Sequence, residues 1–405
     1  MRPYSAYRPR SRAVLGRTVP LLLALTLLAA CPWRSSLVGR GQAAGAGACG
    51  WNDPVLRREE AQVLAGTWHA NVSRDVAIVH PSRAYSGVWL RDSFWTLTSL
   101  GDAALGARAL AHFASRQSHS GQIPTQFAVF LRRPIYKPDE STLLFLIWAG
   151  WEAQRRDTLP ARTVLLRALG YVRAQAPDGM YLSRAGDYAS WFDSFRLRRV
   201  GTLSYNQGLY AVAMQSARSL RLGVGGAEVA RAVGGYRSLV DSRRGYLRMG
   251  SDLNYHDISG LAGEFLSLWL FHRPLLGDSA VRSTLETQPA FRGGFAVVSD
   301  GRGRYLPPRA FSVHLSDGAY QNGGSWLLFD YMALAAGWLH HLPGVAERMR
   351  SRLEAEFEAG PAFREYLDTN PRSTFYGTEP VWRDGFAWNT FIFRVDSVLA
   401  ARCVA

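Results

Sequence analysis
Residues 322–358 read NGGSWLLFDYMALAAGWLHHLPGVAERMRSRLEAEFE. Apolar residues recur at helical spacing on both sides of Leu342-Pro343-Gly344, a tripeptide that punctuates helix. The segment predicts two helices, 322–340 and 343–358, folded back on each other through a very short turn. The pairing recurs along the chain. Further helical patterns fall near 54–67, 89–101, 103–116, 141–154, 160–176, 203–219, 225–238, 259–272, 277–287 and 385–401. Gly101-Asp102 makes a second very short turn. Strand patterns are few, the best being Phe295 to Val298 and Tyr246 to Met249. The remaining connections are long, polar and aromatic. Alternating short and long connections imply antiparallel helical hairpins whose long loops gather on one face. Six such hairpins close into an all-α ring, an (α/α)6 barrel. A helical-repeat solenoid would need a consensus at a fixed period, and none is present.

The chain has 405 residues, 47% apolar and 12% aromatic, enough for a large core. Its 13 Trp suit a core, and also the flat faces on which sugars stack. The net charge is +15, and almost all of the positive charge is Arg, with Lys137 the one Lys. Arg doublets such as Arg132-Arg133 and Arg198-Arg199 are scattered and form no long run. That argues against a nucleic-acid partner and leaves room for a basic face toward an acidic glycan or an anionic envelope surface.

Arg2, Arg8, Arg10, Arg12 and Arg17 precede a short apolar run from Val19 to Ala30. This is the pattern of an export signal over residues 1–30, too short for a comfortable membrane span. It ends in Leu28-Ala29-Ala30-Cys31, which resembles a lipobox, so Cys31 is the expected lipidation site and the one link to a membrane. The plain alternative is a signal peptide with a Cys near its cleavage point. Either way the mature chain is expected outside the cytoplasm, in the cell envelope or secreted. Residues 31–50, rich in Gly and Ala, read as a flexible tether. Residues 51–405 contain no comparable linker and read as one domain. Cys49 and Cys403 lie near the two ends of that domain, which ring closure would bring together. They could form a disulfide in an oxidising compartment, or both stay free. No Cys-x-x-Cys is present and the nine His lack zinc spacing, so no metal and no cofactor is expected.

The long loops carry the chemistry. Gly87 to Trp95 reads GVWLRDSFW, and its adjacent Arg91 and Asp92 suit neighbouring sugar hydroxyls as well as a structural ion pair. Arg91 is expected to lower the pKa of Asp92, which would make Asp92 a binder and a poor acid. Asp139 and Glu140 precede an apolar helix. They read as an N-cap with a dipole-stabilised neighbour, or as a general acid raised by apolar surroundings. Trp191, Asp193, Tyr205, Asn206 and Gln207 mix aromatics with polar groups, as do Asn254-Tyr255-His256-Asp257 and Tyr320, Asn322 and Trp326. Such mixtures fit a concave polar cleft. Gln122 joins the same substrate-binding set. Phe363 to Asp368 brings Glu365, and Trp388 opens the last helix.

Taken in order, Trp89-Leu90-Arg91-Asp92, an acid before an apolar helix, Tyr320 to Trp326, Arg364-Glu365-Tyr366 and Phe386-Ala387-Trp388 resemble the six-hairpin glycosidases. These include glucoamylases, alkaline and neutral invertases, trehalases and the glucosidase part of glycogen debranching enzymes. The Tyr320–Trp326 run and its spacing to Glu365 look closest to the alkaline and neutral invertases. The resemblance spans about Trp89 to Asn389 and implies an inverting, exo-acting hydrolase of an α-glucoside or short oligosaccharide. It implies Glu365 as the general base that activates water, and Asp139 or Glu140 as the general acid. Spacing to Leu143 favours Glu140, whereas the family's acid there is usually Asp. Trp89, Arg91 and Asp92 match the part that holds the terminal sugar. Trehalase signatures and the appended domains of glucoamylase are absent. Two other functions fit the same ring: an uronide hydrolase, lyase or epimerase using His256 with Tyr255, and an inactive sugar-binding lipoprotein.

Overall fold
The computed structural model describes residue 60 and residues 63–402, apart from 65, 67–71, 74–77, 83–84, 86, 129–132, 156–157, 301, 360–362 and 379–385. The chain divides into compact units Met1–Ala48 and Cys49–Ala405, and every described residue belongs to the second. The export signal, the tether, Cys31, Cys49 and Cys403 lie outside the described residues.

Eleven α-helices are described. Six of them, α1 (Leu90–Leu100), α3 (Ser141–Gln154), α5 (Ser204–Ser219), α7 (Ala262–Phe271), α9 (Leu327–Leu339) and α11 (Phe391–Arg402), alternate along the chain with α2 (Ala103–Ala114), α4 (Arg162–Ala174), α6 (Gly226–Arg237), α8 (Asp278–Thr287) and α10 (Val345–Ala359). The odd-numbered helices pack α1 on α3, α3 on α5, α5 on α7, α7 on α9, α9 on α11, and α11 back on α1. That is a closed inner ring. The even-numbered helices pack outside it, for example α6 on α5 and α10 on α9. The fold is the expected (α/α)6 barrel.

Sequence explains which helix goes where. Every residue of α3 from Ser141 to Glu152 is buried, as is every residue of α5 from Ser204 to Ala217. A helix apolar all round belongs inside. In α4 only Leu165, Ala168, Leu169 and Val172 are buried, and in α8 only Ala280, Val281, Thr284 and Leu285, the single stripe of an outer helix. Inner helices α1 and α9 pass to their outer partners through the short turns Gly101-Asp102 and His340 to Gly344. Asp102 caps α2 by accepting from the Leu105 N–H at 2.9 Å. The return connections are long and each precedes an inner helix, so all lie at one end of the ring.

Those loops hold short antiparallel strands. In order they are β1 (Val72–Ser73), β2 (Ile78–Val79), β3 (Gly87–Trp89), β4 (Gln126–Ala128), β5 (Arg133–Ile135), β6 (Arg248–Gly250), β7 (Leu253–Asp257), β8 (Ala290–Phe291), β9 (Gly294–Phe295) and β10 (Val298–Asp300). They form sheets β1-β2, β3-β4-β5, β10-β7-β6 and β8-β9. The predicted strands fall close to β9, β10 and β6. One helix start is corrected: 322–326 is not helical, and α9 begins at Leu327. Gly323 sits at φ +93°, and Ser325 bridges to Leu367 instead. A Cβ on Gly324 would lie 2.5 Å from the Tyr320 carbonyl oxygen and 2.8 Å from the Tyr366 ring, so only glycine fits where this stretch packs on the loop of Glu365.

Candidate active site
The loops before four inner helices meet in one cavity. It is lined by Tyr85, Trp89, Arg91 and Asp92 around the start of α1, and by Trp191 and Asp193 ahead of α5. Tyr320, Gln321 and Trp326 ahead of α9, and Glu365, Phe386 and Trp388 ahead of α11, complete it with Pro81. The helices point their N-termini at it, which biases the potential toward anions. The space open to the centres of water-sized spheres is about 40 Å³, enough for a few waters at roughly 10–15 Å³ each.

Glu365 is 4% exposed and takes hydrogen bonds from the Tyr85 hydroxyl at 3.1 Å on Oε1 and 3.0 Å on Oε2. Its backbone is pinned on both sides. The Arg364 N–H donates to Glu356 of α10 at 2.7 Å, the Asn389 side chain donates to the Arg364 carbonyl at 2.5 Å, and Leu367 bridges Ser325.

Asp193 is fixed by Gln321. The Gln321 Nε2 donates to Asp193 Oδ1 at 2.9 Å and to the Trp191 carbonyl at 3.1 Å. Its Oε1 accepts from the Ser194 N–H at 3.0 Å and from the Ser194 hydroxyl. One amide thus clamps the turn bearing Asp193, and the backbone partners fix which end is oxygen. Among the described residues no hydrogen bond reaches Asp193 Oδ2. Burial raises the Asp193 pKa, opposed by the Arg91 charge and the Gln321 hydrogen bond. The charges of Asp193 and Glu365 both act on the hydroxyls of Tyr85 and Tyr320. The two carboxylates therefore border the same small space.

Arg91 is the cationic hub. It meets Glu140 at 3.1 Å, Asp92 at 4.0 Å, and the Trp388 ring at 5.3 Å from its centroid. Asp92 corrects an expectation: its pKa is pushed up to about 6, because burial outweighs the attraction of Arg91.

Asp139 and Glu140 do not line this cavity. Asp139 accepts from the Ser141 N–H at 3.0 Å at the start of α3, with its pKa raised by burial. Glu140 is fully buried beneath Arg91, and burial pushes its pKa up to about 7. The reason is the apolar interior of α3, which draws the start of the helix inward and leaves these acids to satisfy backbone and Arg91. The carboxylates that share the cavity with Glu365 are Asp193 and Asp92.

Trp89, Trp191, Tyr320, Trp326 and Trp388 all line the cavity. Trp191 donates to the Ser259 hydroxyl at 2.8 Å, and Trp326 to the Tyr320 carbonyl at 3.1 Å. Tyr320 itself stands at φ +46°, a strained setting for a non-glycine residue. The other expected binders do not line this cavity. Gln122 donates to the Lys137 carbonyl at 2.6 Å, and Asn206 to Ser183 at 2.8 Å and the Ala189 carbonyl at 2.7 Å. Gln207 bonds Tyr181, Gly179 and Ala232, while Asn322 accepts from the Leu306 N–H at 3.0 Å. Tyr205 is buried edge-on against Phe329. Asp257 accepts from the Ser259 N–H at 2.9 Å, capping a short 3-10 turn, and burial pushes its pKa up to about 7. His256 stacks on Tyr246 at 3.8 Å and lines a separate cavity with Arg244 and Glu286. Its pKa is pushed down to about 4, chiefly by burial. Among the described residues no group of three or more His, Cys, Asp or Glu is placed to hold a metal, and no helix is long and apolar enough to cross a membrane.

Tyr85 and Gln321 were not singled out as site residues by sequence. Gln321 stands inside a motif that was noticed, next to two residues that were chosen. Tyr85 stands in a loop with no distinguishing pattern.

No family profile matches the sequence, and no curated protein matches it. Solved structures do. A glycosidase variant in complex with glucose superposes with TM-score 0.56 at 15% identity, over 86% of this chain and 96% of that one. A GH63 mannosylglycerate hydrolase from Thermus thermophilus in complex with glucose gives TM-score 0.57 at 15% identity, over 84% of this chain and 99% of that one. The same hydrolase with Tris and D-glycerate gives 0.56 at 15%, with the same coverage. At this identity the likeness establishes the fold: the chain has the six-hairpin barrel of these glycosidases along almost their whole length.

Proposed function
We propose that the chain is an inverting, exo-acting glycoside hydrolase of an α-glucoside or short oligosaccharide, with Glu365 as general base and Asp193 as general acid. The observation that carries this is the pair of Glu365 and Asp193, which border one small, aromatic-walled space at the N-terminal ends of the inner helices, with Asp92 as its third carboxylate. Fold kinship with glucose-bound glycosidases supports it. The run from Tyr320 to Trp326 and its spacing to Glu365 resemble the alkaline and neutral invertases, which supports an α-linked substrate.

The roles follow from environment. Tyr85 donates to both oxygens of Glu365, favouring the ionised form that a base requires. Asp193 has its pKa raised, as a proton donor needs, and it is half-buried, so solvent can restore its proton each turnover. Asp92 is also raised, but it is 2% exposed on the first turn of α1, at the cavity floor. There it and Arg91 suit the hydroxyls of the terminal sugar. Trp89, Trp326 and Trp388 supply stacking surface. The acid protonates the glycosidic oxygen while Glu365 takes a proton from the attacking water on the opposite face. Inversion calls for carboxyl groups roughly 6.5–9.5 Å apart.

The test is a screen of the mature chain against a panel of oligosaccharides, followed by the active substrate with Glu365→Gln and Asp193→Asn. Each variant should lose about 10²–10⁴-fold in kcat. Asp193→Asn should also lose the basic limb of the pH–rate profile, since the acid must be protonated. NMR of the first product should show the inverted anomer. Full activity in either variant, or loss of the basic limb in Asp92→Asn instead, refutes the assignment. Export and lipid attachment at Cys31 are part of the same proposal, supported by the basic, apolar and lipobox-like segments that precede it.

A further inference from the structure
Sequence scatters the arginines, but folding gathers four of them. The turn that carries Asp193 continues as Phe195-Arg196-Leu197-Arg198-Arg199, with Phe195 and Leu197 buried and the three Arg exposed. It is zipped to the segment 308–312: Phe195 bridges Phe311, the Arg196 N–H donates to the Ala310 carbonyl at 2.8 Å, and the Ser312 N–H to the Ser194 carbonyl at 2.7 Å. That pairing brings Arg309 across. Between them runs a groove of about 450 Å³, within the roughly 300–1,000 Å³ of small-ligand sites. Phe195, Leu197, Leu203, Leu253, Tyr255 and Pro307 give it an apolar bed, and Arg196, Arg198, Arg199 and Arg309 a cationic rim. Two of these are paired, Arg199 with Asp252 at 3.2 Å and Arg196 with Asp187 at 3.6 Å. Among the described residues the guanidinium groups of Arg198 and Arg309 meet no carboxylate.

With Arg196 and Arg199 already paired, Arg198 and Arg309 leave the rim with an excess of positive charge that favours an anion. We infer that this groove binds an anionic saccharide chain, one bearing carboxylates or sulfates on sugar rings. The bed suits the apolar faces of pyranose rings, and the rim suits planar anions, which guanidinium groups grip in pairs of hydrogen bonds. A flat lipid surface cannot follow a concave bed. The groove lies on the same loop as the catalytic cavity, and their walls are packed together: Trp191 of the cavity wall packs on Phe192 at 4.1 Å, Phe192 on Phe195 at 6.3 Å, and Phe195 on Phe311 at 6.1 Å. The inference deepens the hydrolase reading by giving its substrate a charge, and rests on it only in taking the occupant to be a saccharide.

Binding is measured by calorimetry on the full mature chain, with and without Glu365→Gln, so that no hydrolysis is needed. The probes are an oligogalacturonate, a sulfated oligosaccharide, a neutral maltooligosaccharide of equal length, inorganic phosphate and phosphatidylglycerol vesicles. An acidic oligosaccharide should bind at least about tenfold tighter than the neutral one, and weaken as salt rises. Whichever acidic probe binds tighter names the anion. Arg198→Ala with Arg309→Ala, both at exposed positions, should weaken acidic binding about tenfold or more and leave the melting temperature unchanged. Equal affinity for neutral and acidic chains overturns the inference. So does acidic binding unaffected by the two substitutions, phosphate binding as tightly as the oligosaccharide, or binding to vesicles alone. If acidic binding holds while the wild-type chain hydrolyses none of the saccharides, the hydrolase reading fails and the groove stands.

Discussion

Arg352 on α10 is fully buried, with its Nε 2.8 Å from Asp330 of α9 and one guanidinium nitrogen 2.9 Å from Glu356. Asp330 also accepts from the Ser325 hydroxyl at 2.5 Å and the Phe295 N–H at 3.2 Å, and Glu356 accepts from the Arg364 N–H beside Glu365. One cation thus joins an inner helix, its outer partner and the loop of the proposed base. Arg352→Met leaves two carboxylates in a dry site. Breaking a buried pair from one side costs about 3–5 kcal/mol. With an unfolding entropy of about 2.1 cal/mol/K per residue over roughly 350 residues, each kcal/mol moves the midpoint by about 1.4 °C. The expected fall is about 4–7 °C by calorimetry. The pH dependence has a definite sign. Burial already raises the Asp330 pKa, and losing Arg352 raises it further. A carboxyl with a folded pKa above its unfolded one destabilises as pH climbs past the unfolded value of about 4, until it reaches the folded one. The deficit should therefore be smaller at pH 5 than at pH 8. Adding Asp330→Asn and Glu356→Gln to Arg352→Met should recover part of the loss, since no unpaired charge remains. A midpoint within about 1 °C of wild type, or a larger deficit at pH 5, would refute the reasoning.

Gln321→Leu frees the Asp193 turn and should lower kcat about tenfold or more with KM little changed; an unaltered kcat in steady-state assays removes Gln321 as a positioning residue. Tyr85→Phe strips Glu365 of a charge-assisted donor worth about 1.5–3 kcal/mol, so the acidic limb of the pH–rate profile should move up by about 1–2 units. An unmoved limb would show that the hydroxyl does not set the ionisation of Glu365. Glu140→Gln should act through Arg91, raising KM several-fold and keeping both pH limbs; loss of the basic limb would return Glu140 to the role of acid. Labelled fatty acid should enter the expressed chain and not its Cys31→Ser variant, and label in neither would mark the segment as a plain signal peptide.

The barrel was legible because its two signals are physical necessities. A helix apolar all round is buried on all sides, and a hairpin must turn where Gly or Pro stops the helix. Residues 322–358 contain both, and the alternation of inner and outer helices repeats along the described chain. What failed was local. The Gly323-Gly324 pair lies within a predicted helix, yet Gly324 approaches the Tyr320 carbonyl too closely for a side chain, and the run bends away to pair with Leu367. Close approach between segments leaves no periodicity to read. The polar residues of α5 misled in the opposite direction. Asn206 and Gln207 look like cleft residues because amides are rare in cores, but the Asn206 amide nitrogen is held by Ser183 and the Ala189 carbonyl, and Gln207 bonds the backbone of Tyr181, Gly179 and Ala232, so both are tied into the packing around α5.

The placement of the acid turns on the same point. Asp139-Glu140 before α3 and Asp193 before α5 are alike in sequence, each a carboxylate among aromatics ahead of an apolar helix. Burial raises the pKa in both places, so raised acidity cannot choose between them. What chooses is which carboxylate borders the cavity. Asp139 accepts from the first turn of its helix and Glu140 from Arg91, and neither lines it. Asp193 is held by Gln321, more than a hundred residues away in sequence, in the lining of the cavity that it shares with Glu365. The choice is therefore made by a contact between distant loops, which ring closure creates. A reading that works along the chain finds the candidates, and only the closed ring ranks them.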